Sequence, residues 1–543
     1  MEIRLVSCLE KIFPDGRGVQ SPAPDLCALQ GEAVAFQCAL CSEQVTYLYP
    51  RLEGEIPGTH SIRRVDLAAV QSSRPAESCD EHYLSNAPGL YPDILSEMPK
   101  GFVCPPGQWQ ALFIEIEVSN AVKAGDYPLA LVLESPEGEV LGRAEVTLSV
   151  IGAQLPPQRM QHTEWFYADC LADYYQVPVF SEKHWEIIGH FMRTAARRGC
   201  TTILTPQFTP PLDTYVGCER TTVQLVDVEK DDQGYHFEFS KLKRWMDLAL
   251  ACGLSRFEFS HLFTQWGAKA APKIMGMKDG RYQRLFGWDT PALGGEYARF
   301  LQAYLPVLVE TLQQWGMGQC CCFHVSDEPG PDMLPHYLQA KQIVEPLLAG
   351  FPIMDALSDL KIAQDCRISP PIACVNHLDT FLEAGISPLW GYYCCSPGQV
   401  YTNRFHYMSL ARVRIMGMQW WKYNLGGFLH WGYNFYNTVQ SFAPINPYLD
   451  CEAGGGLPAG DPFLVYPGMD GKPVESLRLI AMHYAMQDAR ALDLLESLMG
   501  RDAALSLLEA EGPFTLSSYP QDGAGLMNIR RRINEAILAC LQD

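Results

Sequence analysis

Apolar and polar positions alternate with a period of two through most of residues 1–155. Leu112, Ile114, Ile116 and Val118 interleave with Phe113, Glu115 and Glu117, the pattern of a strand with one buried face. Leu129, Leu131 and Leu133 repeat it. So do Ala144, Val146, Leu148 and Val150 against Glu145, Thr147 and Ser149. Gly125-Asp126 and Pro136-Glu137-Gly138 supply turns between the runs. The pattern predicts a β-sandwich over 1–155, with Leu155-Pro156-Pro157-Gln158 as the linker that follows.

The period changes from about residue 160. Leu242, Trp245, Met246 and Ala249 fall at i, i+3, i+4 and i+7, a helix that Gly253 can stop. Tyr297, Phe300, Leu301, Tyr304, Leu305, Leu308 and Leu312 form a second stripe over 295–314. Ser181 is placed to cap the helix carrying Trp185, Ile188, Met192 and Ala195. Between such helices lie candidate strands at 162–168, 201–206, 255–261, 319–327, 352–356, 371–376, 388–394 and 427–433. Strand–helix alternation implies a parallel sheet, and eight repeats fit a closed (β/α)₈ TIM-type barrel over 158–500. A doubly wound open sheet is the alternative, but no Gly-rich phosphate loop supports it. Residues 501–543 predict a C-terminal helical extension on the barrel's outside. The fold expected is multidomain: a β-sandwich, a barrel and helices.

The composition narrows the function classes. Among 543 residues, 48% are hydrophobic and 19% charged, a globular balance. The 41 basic against 62 acidic residues give a net charge of −21, which repels phosphate backbones and argues against nucleic acid as a partner. No apolar run reaches the roughly 18 residues of a membrane span, and Met1-Glu2-Ile3-Arg4-Leu5-Val6 does not read as a secretory signal. Of the 19 cysteines, Cys320-Cys321-Cys322 and Cys394-Cys395 sit in apolar runs. They read as free thiols and point to a cytoplasmic location. Cys38-Ala39-Leu40-Cys41 lacks a second ligand pair. No metal site and no cofactor are expected. The oligomeric state stays open.

In a barrel the chemistry sits at the C-terminal ends of the strands. Those ends carry Asp169, Gln207, His261, Asp327 with Glu328, Asn376, Tyr392 with Tyr393, and Trp431 with Tyr433. Asp327-Glu328-Pro329 is the most informative. Two adjacent acids closing an apolar strand raise the pKa of one of them, as a general acid at neutral pH requires. Pro329 biases Glu328 towards an extended backbone. The competing reading is electrostatic capping of the helix predicted near 333–348. Strand neighbours point to opposite faces, so the two acids are not expected to face each other as the paired carboxylates of an ordinary glycosidase do. Either Glu164, Glu258 or Asp355 supplies a partner carboxylate, or the substrate supplies its own nucleophile, a 2-acetamido oxygen.

The chain resembles the DUF4091 family, which is related to glycoside hydrolase family 123, the β-N-acetylgalactosaminidases. The resemblance spans about 90–490. It rests on Trp165-Phe166-Tyr167-Ala168-Asp169-Cys170, on Leu204-Thr205-Pro206-Gln207-Phe208-Thr209-Pro210-Pro211-Leu212-Asp213-Thr214, and on His261-Leu262-Phe263-Thr264-Gln265-Trp266-Gly267-Ala268-Lys269. His324-Val325-Ser326-Asp327-Glu328-Pro329, Leu389-Trp390-Gly391-Tyr392-Tyr393-Cys394 and Gly427-Phe428-Leu429-His430-Trp431-Gly432-Tyr433-Asn434 extend it. It implies substrate-assisted retaining hydrolysis of β-linked N-acetylhexosaminides in an oligosaccharide or glycoconjugate, β-N-acetylgalactosaminides first. Glu328 would be the acid and base, and Asp327 would hold the acetamido N–H.

Tyr393, rather than Tyr392, is expected to bond the acetamido carbonyl, as a tyrosine does in related sites. Trp431, Trp390, Trp266, Trp288 and Tyr433 are candidate sugar-stacking residues. His261, Asp169, Gln207 and Asn376 are candidate hydroxyl ligands. The long segment 437–474 is expected to form a partial lid; Asp450 and Asp461 within it lack the EF-hand spacing that would make them cation ligands. Two other functions compete: a retaining glycosidase with a protein carboxylate as nucleophile, and a non-catalytic glycan-binding protein.

Overall fold

The computed structural model describes residues 1–21 and 25–542. The chain is a mixed α/β protein with a sheet-rich N-terminal region and a curled parallel sheet after it.

Two five-stranded sheets build the first region. Gln110–Val118 lies inside one, paired with Ala33–Cys41 and Gly58–Val70; Gly125–Glu134 lies inside the other, paired with Thr46–Gly54 and Val140–Gln154. Leu112, Ile114 and Ile116 from one sheet and Leu129, Leu131 and Leu133 from the other share one apolar core. The strand Gln110–Val118 departs from the half-buried expectation, because Phe113 and Glu115 on its second face are buried too. Glu115 there accepts from Arg198 and Arg63, and both arginines also reach Glu475. This sealed ion network ties the first region to the second. Each carboxylate of it is held well below the ordinary range, because the arginines outweigh the effect of burial.

Seven parallel strands build the curled sheet, in the spatial order Cys321–Phe323, Arg256–Phe259, Thr202–Thr205, Gln161–Glu164, Gly427–His430, Trp390–Tyr392 and Ile372–Cys374. They lie at seven of the eight expected positions and are shorter than expected. At the eighth, residues 352–357 form no regular strand. They make isolated parallel bridges from Ile353 to Phe323 and from Ala356 to Ile372, the two edge strands.

The helices follow their apolar stripes. Ser240–Cys252 buries Leu242, Trp245, Met246 and Ala249 and stops at Gly253, whose φ is 103°. Gly295–Gln314 buries the seven residues of its stripe, and Ser181 caps Glu182–Arg197 by accepting from the His184 N–H. An additional four-stranded sheet, spanning Asp227–Asp231 to Arg281–Phe286, is not foreshadowed by the periodicity. Its hairpins are short and polar. The final helix Gly523–Gln542 packs on the long helix Leu477–Met499 and on the N-terminal sheets, where Arg530 pairs with Glu32 and Asp488. All 19 cysteines are free. Among the described residues no helix is long and apolar enough to cross a membrane.

The segment after the strand Gly427–His430 leans on the N-terminal region. Glu452 accepts from the backbone N–H groups of Gln71 and Ser72 and from the Ser72 hydroxyl, and the Cys451 thiol donates to Ala69 O. The close pass of this segment over the sheet needs Gly432, where a Cβ would lie 2.6 Å from Pro462 O.

Candidate active site

At the C-terminal ends of the parallel strands lies a cleft of about 260 Å³, lined by Trp165, Asp213, Gln265, Asp327, Glu328, Tyr392, Trp431 and Asp461 among others. The backbone around the acid pair is pinned on both sides. Asp327 O accepts from the Trp266 N–H at 3.1 Å, and the Glu328 N–H donates to Ala356 O at 3.2 Å.

Glu328 takes φ = +44°. The extended backbone expected before Pro329 is therefore corrected. A left-handed residue breaks the two-residue alternation, so both acids reach the same cleft instead of opposite faces. Such a conformation costs a non-glycine residue about 1–3 kcal/mol and concentrates at functional sites. Neither acid caps the helix Leu334–Val344, whose N-terminus has no side-chain cap. Glu328 is exposed and Asp327 half-buried. Burial, and then the charge of Glu328, push the Asp327 carboxyl well above the usual range. The Tyr392 hydroxyl donates to Glu328 Oε1 at 2.6 Å.

Beneath this pair lies a buried polar layer. His324 donates from Nε2 to Glu258 at 2.6 Å and from Nδ1 to Asp355 at 3.2 Å. Burial alone would lower its pKa, but these two hydrogen bonds outweigh it and hold the imidazolium up to about 10. Glu258 also accepts from Thr163 Oγ1 and Trp165 Nε1. Asp355 accepts from the Tyr337 hydroxyl and the Val325 N–H. Glu164 is locked to Arg404 at 2.7 Å. All three carboxylates weighed as partners for Glu328 are thus paired below the cleft floor.

His261 stacks on His324 at 4.5 Å with 21° between the rings, and among the described residues neither of its ring nitrogens has a partner. Burial and the His324 charge hold it neutral. Together with Asp355 the two histidines bring ligand atoms close enough for a metal. Lone pairs of near-parallel imidazoles lie in their ring planes, however, and do not converge on one ion, and both nitrogens of His324 are already donors to carboxylates.

The other expected residues divide. Trp431 and Trp266 line the cleft; Trp431 Nε1 donates to Asp461 Oδ2 at 3.1 Å. Tyr392 takes the place expected for Tyr393. The Tyr393 ring is buried against Phe428 and His430, and among the described residues its hydroxyl meets only the Met482 sulfur. Trp390 begins its strand and lies against Gly426 and Gly427, away from the cleft. Tyr433 is buried with its hydroxyl on Phe191 O. Asp169 is spent in a buried pair with Arg220. Gln207 donates to Ser260 O and accepts from Tyr304. Asn376 is exposed outside the cleft. Trp288 lines a separate small cavity beside Pro210 and Pro211.

The segment after the last strand contributes Val439, Gln440, Leu457 and Asp461 to the cleft wall. Asp461 was not among the residues expected to line the cleft. Burial pushes its carboxyl up to about 7, against the effect of Arg404. Sequence reasoning missed Trp165, Asp213 and Gln265 as lining residues, although all three lie in the stretches that carried the family resemblance. Asp213 and Gln265 are joined, the Asp213 N–H donating to Gln265 Oε1 at 2.6 Å.

The family model of the glycoside hydrolase 123 catalytic domain matches residues 165–495. No curated protein sequence matches the chain. Among solved structures, a family 123 glycoside hydrolase from Clostridium perfringens, studied for glycolipid glycan hydrolysis, superposes with a TM-score of 0.75 at 14% identity, covering 100% of this chain and 98% of its own. A GH10 xylanase from Thermobacillus composti gives 0.31 at 11% identity over 60% of this chain and 97% of its own. A Parabacteroides merdae β-glucuronidase gives 0.30 at 9% over 83% and 52%. These two overlap too loosely to bear on the site. The chain belongs to glycoside hydrolase family 123.

Proposed function

We propose that this glycoside hydrolase cleaves β-linked N-acetylhexosaminides, β-N-acetylgalactosaminides first, by substrate-assisted retention in a sheet that residues 352–357 close into an eight-position barrel. The observation that carries the reading is the division of the acids. Asp327 and Glu328 stand side by side in the cleft, while Glu164, Glu258 and Asp355 are paired away beneath it. A retaining enzyme with a protein nucleophile needs a second carboxylate across the scissile bond, about 5–5.5 Å from the first. With the floor carboxylates engaged, the 2-acetamido oxygen is the nucleophile at hand.

In this reading Glu328 protonates the glycosidic oxygen and then activates water. Asp327 accepts the acetamido N–H and steadies the oxygen's attack on C1. An N–H donated to Asp327 favours its ionised form and so opposes the upward push that burial and the charge of Glu328 exert on that carboxyl. Tyr392 orients Glu328 and stands beside the acetamido carbonyl of a bound sugar. Trp165, Trp266 and Trp431 offer apolar faces to a pyranose ring, and Asp461, fixed by the Trp431 indole, accepts from a ring hydroxyl.

A matched pair of chromogenic glycosides tests this. The β-N-acetylgalactosaminide is expected to turn over and the β-galactoside, which lacks the acetamido group, is not. Turnover of the β-galactoside alone would move the nucleophile to a protein side chain, with Asp461 and Asp213 as the carboxylates to examine.

A further inference from the structure

Cys394 and Cys395 both line the cleft that holds Glu328. Their sulfurs lie 3.8 Å apart. Cys395 is exposed, and Cys394 is half-buried with its thiol on Ser396 O at 3.6 Å. A third thiol, that of the buried Cys374, donates to the same carbonyl at 3.9 Å. Neither cleft thiol has a part in the hydrolysis described above.

The spacing separates two kinds of thiol chemistry. Two thiolates on a tetrahedral soft cation, each about 2.3 Å from the metal, stand about 3.8 Å apart. A disulfide between sequence neighbours would instead have to span a Cα separation of about 3.8 Å, shorter than the usual lower limit of about 4.4 Å. The geometry suits a cation and works against closure of an S–S bond.

We propose that Cys394 and Cys395 form a two-thiolate site for a soft divalent cation, Zn²⁺ or Cd²⁺, at the wall of the cleft. Each thiol gives its proton to solvent, two S–metal bonds form, and no oxidant is required. Because two protons leave, binding tightens as pH rises. The cation's remaining positions face the cleft, where water completes them. Occupancy blocks hydrolysis. That consequence rests on the proposed role of Glu328; binding itself does not.

Cd²⁺ titration of the full-length protein, followed by thiolate-to-metal absorption in the ultraviolet, tests the site without any substrate. The expected result is an absorption band in the wild type that saturates with the first equivalent and is missing in Cys395→Ser and Cys394→Ser. Hydrolysis of the chromogenic substrate is lost over the same titration in the wild type, restored by a chelator, and insensitive to Cd²⁺ in Cys395→Ser. A band of equal size in both variants would place the cation on other cysteines and overturn the proposal. Loss of the band without any change in an active enzyme would keep the site and remove its blocking role. Cys395 is exposed, so its serine variant leaves packing intact, and its unperturbed melting temperature is the control.

Discussion

Two sets of carboxylates sit one above the other at the same end of the parallel sheet, and their surroundings are opposite. Below, Glu164, Glu258 and Asp355 are buried, and each accepts from at least two donors or a guanidinium. Above, Asp327 and Glu328 meet the cleft, Glu328 sits on a left-handed backbone, and among the described residues a single tyrosine hydroxyl donates to the pair, at Glu328. The residue types are the same. What separates a group that holds the sheet together from one free to move a proton is how completely its oxygens are already engaged.

That contrast is tested most strongly by Glu328→Gln. In its proposed role of general acid and base, its loss is expected to lower kcat by about 10²–10⁴-fold. Because Glu328 is exposed, its unfolding free energy in urea should stay within about 0.5 kcal/mol of wild type. Equal losses of activity and stability would erase the distinction. Glu258→Ala should do the reverse of what a cleft residue does. It strands the His324 imidazolium and removes the acceptor of Thr163 and Trp165, at a cost of about 3–5 kcal/mol in urea unfolding.

The floor also has a pH signature. The His324 pKa is raised from 6.5 to about 10 in the fold. Its contribution to stability is therefore complete below pH about 6.5 and is lost as pH rises through about 10. Urea midpoints should fall across that window in the wild type, and His324→Gln should flatten the fall. The smallest expected effect sharpens the contrast between two neighbours. Tyr392→Phe removes a hydrogen bond to a carboxylate and should reduce kcat/KM by about 10–100-fold, a loss of roughly 1.5–3 kcal/mol. Tyr393→Phe, whose hydroxyl meets only a thioether, should leave kcat/KM unchanged.

Much of this was legible in the chain. The period-two runs located both N-terminal sheets, and apolar runs located the seven parallel strands, because each reflects a face that must be buried. The acid pair stood out because two carboxylates closing an apolar strand are costly without a purpose. What periodicity did not carry was side-chain direction at strand ends. Tyr392 and Tyr393 are equivalent in composition, and only the register of Trp390–Tyr392 decides which faces Glu328. Gln207 follows its strand closely and Asp169 falls in the first turn of the helix Ala168–Tyr175, but they are taken up by Tyr304 and Arg220, partners distant in sequence. Asp461 reaches the cleft from a segment with no regular structure. The left-handed turn at Glu328 ran against the bias of the proline after it, and only the bonds to Ala356 and Trp266 explain it.

The anchoring of Glu452 and Cys451 on residues 69–72 has a practical consequence. The stretch recognised as the catalytic domain begins at residue 165, yet the loop that brings Val439, Gln440, Leu457 and Asp461 to the substrate is moored to the sheets that precede it. Cut away from those sheets, the enzyme would keep its acids and lose the scaffolding for one bank of its groove. The two halves therefore depend on each other physically, and a shuffled or truncated version would need another buttress to hold that bank in place.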